Sequence, residues 1–298
     1  MKKMIFSIIA LCAMAFGLKA HDFFINLSES MEHKPGSIGV NIGWGHALPF
    51  DDFFMGNSLE KYEIYDPNMK KTEFKFDKTA NEGIETRVYQ EKPSKDFPEA
   101  LVFNGDMLAN KVYFTDTSAK GVYQVAAATR NVQFSTWKDE KGREKWGRIY
   151  LNEIKGAKEI SMSLNFQSFA KAYVSVSEWK KPKPIGHDLE IIPISDLSNL
   201  KVGDEVELEV LFMGEPLNEK INDMPITIKA HGEQSGAGFI GSYINSNGKT
   251  KFRATSSGRW LAVVNLRKDI NKKIAPELVG KALQKGYNAT VTFYVKAR

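Results

Sequence analysis

The sequence predicts an all-β fold: two β-sandwich (immunoglobulin-like) domains after a cleaved signal peptide. Three observations predict it. Short runs rich in Val, Ile, Phe, Tyr and Thr alternate with Gly, Pro, Asn and Asp punctuation along most of the chain. Aromatic residues reach 11%, an enrichment that suits strands better than helices. The length of 298 residues and one charged, Pro-rich break past the middle fit two domains.

Residues 1–20 read as the signal peptide. Lys2 and Lys3 precede an apolar run from Met4 to Leu18, which is too short to span a bilayer comfortably. The small Ala20 precedes the polar pair His21-Asp22, so cleavage is expected after Ala20 and localisation is expected to be periplasmic. Cys12, the single cysteine, lies within this segment. The expected mature chain therefore has no disulfide, thiolate metal site or thiol nucleophile. Loss of Lys2, Lys3 and Lys19 lowers the formal charge by three, from +5 to +2. That balance argues against nucleic acid or an anionic membrane as partner. No later apolar run is long enough to cross a bilayer.

The first domain is expected over 21–180. Its predicted strands are Asp22–Ser28, Ser37–Trp44, Lys61–Tyr65, Thr72–Phe76, Thr86–Gln90, Lys111–Thr115 and Gly121–Thr129. Phe134–Lys138 and Trp146–Leu151 flank a Glu140-Lys141-Gly142-Arg143 turn and read as a hairpin. Gln167–Val176 is ambiguous, with a helical turn conceivable at its start. Residues 181–186 form the expected linker, within Lys180-Lys181-Pro182-Lys183-Pro184 and the residues after it. The second domain, 187–298, has predicted strands at Leu189–Ile194, Glu205–Phe212, Pro225–Ala230, Phe239–Ile244, Lys249–Ala254, Trp260–Leu266 and Ala289–Val295. Glu205–Phe212 alternates Glu with Val, Leu and Phe, the mark of a half-buried strand. Pro276–Lys285 reads as a short helix ended by Gly286.

Catalytic signatures are missing. The sequence contains no Gly-x-Ser-x-Gly elbow, no His-Glu-x-x-His and no phosphate-binding loop, so no enzyme activity is expected. Trp137, Trp146 and Trp179 would serve a sugar platform only if they converged; buried sandwich tryptophans are commoner.

The histidines carry the chemistry. Cleavage after Ala20 would give His21 a free α-amine, so one residue would offer both an amine and an imidazole to one metal ion. These nitrogens suit nickel, cobalt, copper and zinc. The amine titrates near ~8 and can lose its proton to a metal at neutral pH. His46 lies in Gly43-Trp44-Gly45-His46, followed by Asp51 and Asp52. If the first two strands pair as a hairpin, His46 comes back beside His21. Asp22, Asp51 and Asp52 are candidates to orient the imidazoles from outside the coordination sphere. His187, just after the linker, is a third candidate ligand. His33 and His231 read as incidental, and Met55 as a packing residue able to serve as a soft copper(I) ligand.

The second half carries a family resemblance. Gly186-His187-Asp188-Leu189-Glu190-Ile191-Ile192-Pro193, Leu200-Lys201-Val202-Gly203-Asp204, Phe212-Met213-Gly214-Glu215-Pro216-Leu217, Asn247-Gly248 and Ser257-Gly258-Arg259-Trp260 occur in this order. The order resembles a family of secreted bacterial proteins of unknown function long labelled as nickel or cobalt uptake transporter components. Their mature chains start with His-Asp or His-Glu, as Ala20-His21-Asp22 would here. The resemblance implies a periplasmic metal-binding protein that assists nickel or cobalt uptake, with a membrane permease as partner. Two other readings stand beside it: an exported, non-catalytic interaction module, and a copper-dependent redox enzyme.

Overall fold

The computed structural model describes residues 21–30, 36–76, 107–221, 223–235 and 238–298. The expected signal peptide, His33 and the expected strand Thr86–Gln90 lie outside these residues.

The protein is almost entirely β. The strands are β1 (Asp22–Ser30), β2 (Ser37–Gly45), β3 (Leu59–Tyr65), β4 (Lys71–Glu73), β5 (Asn110–Tyr113), β6 (Gly121–Thr129), β7 (Val132–Asp139), β8 (Glu144–Gly147) and β9 (Ala157–Val176). They continue as β10 (Leu189–Pro193), β11 (Glu205–Phe212), β12 (Glu215–Pro216), β13 (Lys220–Ile221), β14 (Met224–Pro225), β15 (Thr227–Gly232), β16 (Ile240–Tyr243), β17 (Lys249–Arg253), β18 (Gly258–Asp269) and β19 (Gln284–Val295). Short 3-10 turns occupy Gly56–Ser58, Leu151–Glu153 and Pro276–Leu278.

One ten-stranded sheet forms the middle of the molecule, in the order β16-β15-β18-β19-β9-β6-β3-β4, with the β7–β8 hairpin joined to the first half of β9. Its two faces carry different partners. The three-stranded sheet β1-β2-β5 covers one face, and the sheet of β10, β11, β12 and β17 covers the other. β9 shows why both faces can be covered. Successive side chains of a strand point to opposite sides. Ala170, Ala172 and Val174 enter the core beneath β1 and β2, while Phe169 and Tyr173 enter the core beneath β10 and β11. All nine residues of β6 are buried for the same reason.

The halves on the two sides of the expected linker 181–186 are not joined by that segment alone. β19 pairs with β9 in parallel, from Gln284↔Leu164 to Thr292↔Ala172, so the halves share the central sheet. That pairing removes two sheet edges at once. The Pro-rich segment is not a free tether either. The Glu190 carboxylate accepts the backbone N–H of Ile185 (2.8 Å) and of Gly186 (3.1 Å), and the Lys183 carbonyl accepts Gln124 Nε2 (2.9 Å). Glu190 also pairs with Lys171 Nζ at 2.6 Å, with both side chains 1–2% exposed. The segment is thus where the chain crosses from one layer to another.

Two expectations for single segments are corrected. Pro276–Lys285 is not a helix. Only Pro276–Leu278 forms a short 3-10 helix, Gly280 takes φ +76°, and Gln284 and Lys285 pair with Asp269 and Lys268. The ambiguous start of Gln167–Val176 is strand, lying within β9 and paired with β19.

Candidate functional site

β1 and β2 form an antiparallel ladder from Asp22↔Gly45 to Ser30↔Ser37. One step beyond this ladder, His21 and His46 face each other. Their ring centroids are 4.4 Å apart and the planes meet at 62°. Trp44 presents an edge to His21 at 5.3 Å.

The loop after β2 is held tightly. Asp51 and Asp52 both donate their backbone N–H to the Trp44 carbonyl, closing residues 45–50 into a knot. Gly45 adopts φ +129°, and a Cβ there would lie 1.6 Å from Asp51 Oδ1, so only glycine fits. Asp51 Oδ1 instead accepts the His46 backbone N–H at 2.7 Å. Leu48 is buried against Phe24, Leu261 and Val263, and Asn26 Nδ2 donates to the Pro49 carbonyl at 2.7 Å. The loop therefore rests on β1 and β18 rather than floating in solvent.

Each imidazole has its own carboxylate. Asp52 Oδ2 lies 3.6 Å from His21 Nδ1, and Asp51 Oδ2 lies 3.7 Å from His46 Nδ1. A carboxylate beside a ring nitrogen helps to fix the orientation of the ring. Asp22 is turned toward β19, where Asn288 Nδ2 donates to it at 3.4 Å. Burial pushes its carboxyl up to about 6, against the Asn288 hydrogen bond and the charges of His46 and Lys229.

His187 is elsewhere. Its ring packs on Phe169 at 4.8 Å, and Phe169 belongs to the core beneath β10 and β11. The neighbouring Ser168 points the other way, into a cleft beside His21. The central sheet thus separates His187 from the His21–His46 pair. Burial, with Lys171 close by, pulls the His187 imidazole down to about 4, so it is neutral at pH 7. His231 pairs with Leu261 inside the sheet, and burial lowers its pKa. The three tryptophans do not converge: Trp179 packs on the large core, while Trp146 is exposed on its hairpin against Phe134.

A cleft of about 560 Å³ opens beside His21. Trp44, Phe53, Phe54, Met55 and Phe166 form much of its wall, and Arg148 contributes to it from the segment after β8. Phe53-Phe54-Met55 read in the sequence as a packing edge; the structure puts this edge along the cleft. Arg148 was not legible as a site residue, because a lone arginine in Trp146-Gly147-Arg148 carries no spacing signal.

Among the described residues, no three His, Cys, Asp or Glu side chains gather around one point. The described donors are the two imidazoles, each backed by an aspartate. Nδ1 of a terminal histidine can share an ion with that residue's own amine, in a six-membered chelate ring, and His21 Nδ1 is the nitrogen beside Asp52. Two imidazoles and one such amine would make three nitrogen donors.

The domain of unknown function DUF4198 matches residues 18–268. The chain belongs to the DUF4198 family. The matched span includes His21, His46, Asp51, Asp52, Arg148 and His187, and the family description names no activity. No curated protein matches this DUF4198 chain. A solved structure of three N-terminal domains of the bacteriophage RB49 Highly Immunogenic Outer Capsid protein is 9% identical to it. The alignment covers 93% of this chain and 100% of that one at a TM-score of 0.18, a likeness that carries no weight.

Proposed function

We propose that this DUF4198 protein is a periplasmic metal-binding protein that takes nickel or cobalt as cargo and passes it toward a membrane permease. The ion is held by the His21 amine, the His21 imidazole and the His46 imidazole. The observation that carries this reading is the 4.4 Å approach of the two imidazoles, each with an aspartate at its Nδ1. Two adjacent imidazoles on an exposed hairpin end would add little to folding, while two adjacent carboxylates would offset the charge of a divalent ion. Residues 1–20 support export, since their charged start, apolar run and small Ala20 place His21 at the expected new terminus. Copper held by the same donors is a second reading, favoured by the Met55 thioether in the adjoining cleft.

Calorimetric titration of three chains tests the proposal: one beginning at His21, one with a single extra residue ahead of it, and a His46→Ala form. The chain beginning at His21 binds one nickel or cobalt ion. The extra residue turns the amine into an amide and weakens binding by about tenfold or more, while His46→Ala weakens it without loss of fold. Equal binding by all three, or binding by none, refutes the reading.

A further inference from the structure

The cleft beside His21 is larger than an ion needs. Water occupies about 30 Å³ per molecule in the liquid, so an ion with six waters fills roughly 200 Å³. The cleft offers about 560 Å³, within the size range of small-molecule sites. Its wall is also wrong for a hydrated ion. Trp44, Phe53, Phe54 and Phe166 offer flat apolar surface, which gains nothing from bound water but packs well on an organic ring.

The charges in the lining point the same way. Asp51 and Asp52 stand beside the imidazoles, where a cation would sit. Arg148 enters from a separate segment, and among the described residues no carboxylate pairs with it. A guanidinium is a fixed, planar fork of donors that fits a carboxylate through two parallel hydrogen bonds. One cleft thus holds the proposed cation site, an apolar wall and a guanidinium with no carboxylate on it among the described residues.

From these features we infer that the cleft receives the ion already complexed by a small organic chelator, which has a flat apolar body and a carboxylate that docks on Arg148. The inference rests on the proposed metal site and adds the chemical form of its cargo. The proposed protein donors are three nitrogens, so an ion that prefers four to six ligands keeps positions for the chelator. The chelator's ring lies against the aromatic wall, and its carboxylate reaches Arg148 when the ion is on the histidines.

Equilibrium dialysis of the chain beginning at His21 provides the test, with nickel alone, pyridine-2,5-dicarboxylate alone, whose ring nitrogen and 2-carboxylate chelate the ion while its 5-carboxylate stays free for Arg148, and the preformed one-to-one complex. Metal and chelator are quantified separately on the protein. The expected result is that the complex is retained with both components, at least about tenfold more tightly than the chelator alone. Arg148→Ala, an exposed position, lowers retention of the complex by about tenfold and leaves binding of nickel alone within twofold. If nickel binds and the chelator stays in solution, the inference is overturned while the metal site stands. Equal retention of the complex by Arg148→Ala also overturns it, as does chelator binding that needs no metal. If neither nickel nor the complex binds, the metal site and the inference fall together.

Discussion

Removing the charge of Glu190 should destabilise the protein more than any single surface change. Glu190 and Lys171 meet at 2.6 Å with 1–2% exposure, so water screens neither. Burial pulls the Lys171 ammonium below its ordinary pKa, with Glu190 opposing the pull. Burial also tends to raise the Glu190 carboxyl, but Lys171 and the Ile185 N–H outweigh it and hold the acid below its usual range. Glu190→Gln keeps an acceptor for only one of Ile185 and Gly186, because its amide nitrogen donates, and leaves the ammonium with a neutral neighbour. The cost of an uncompensated buried charge is about 3–5 kcal/mol. Lys171→Met leaves the carboxylate its two backbone donors and costs less. The double variant costs about 2 kcal/mol less than the sum of the singles, because neither charge is then stranded. Urea unfolding at pH 7 measures all four proteins. With Glu190 gone, the folded-state pKa of Lys171 sits further below its unfolded value. The unfolded chain then binds the extra proton, and the Glu190→Gln deficit shrinks as pH rises from 7 toward 10. Additive singles, or singles costing under about 1 kcal/mol, would refute the account.

Gly45→Ala is expected to cost about 1–3 kcal/mol for its φ of +129°. It also displaces Asp51 from the His46 N–H, so thermal unfolding and metal titration should both register it. His187→Phe should be neutral or slightly stabilising at pH 7, because the buried Nδ1 that it removes has no hydrogen-bond partner. The folded imidazole titrates near about 4, below its ordinary 6.5, so its contribution is complete above pH 6.5 and is lost as pH falls toward 4. Stability of the parent should therefore drop relative to His187→Phe across that window, by at most about 3 kcal/mol, and parallel curves would count against it.

The local patterns were legible and the long-range pairing was not. Glu205–Phe212 and Gly121–Thr129 are strands over the expected residues, because alternation and β-branched runs report local backbone preference. The approach of His46 to His21 was readable as well, since two antiparallel strands of similar length bring the start of the first beside the end of the second. Nothing local marks Gln284–Thr292 as the neighbour of Leu164–Ala172, 120 residues earlier. The prolines and lysines of 181–184 signalled a tether because the signal ignores Glu190, which binds the backbone just beyond them. Pro276 looked like a helix start, but the strand partner of Gln284 and Lys285 outweighed the propensity of ten residues. His187 stood at an apparent junction in the sequence, and only the side-to-side alternation of Ser168 and Phe169 reveals that a sheet lies between it and His21.

The docking of β1 has a consequence for the order of assembly. Thr290 Oγ1 donates to the Phe23 carbonyl at 2.7 Å, and Thr292 Oγ1 donates to the Ile25 carbonyl, both from the last strand. Leu48, under the His46 loop, rests on Leu261 and Val263. A chain that emerges N-terminus first therefore displays His21 and His46 long before the strands that seat them exist. Until residues 258–295 arrive, the hairpin can pack on β3, β6 and β9 but lacks its seat on β18 and β19. The pair gains its full seat only when β18 and β19 are in place, so under the proposed metal reading capture of an ion would also report that these last strands have docked.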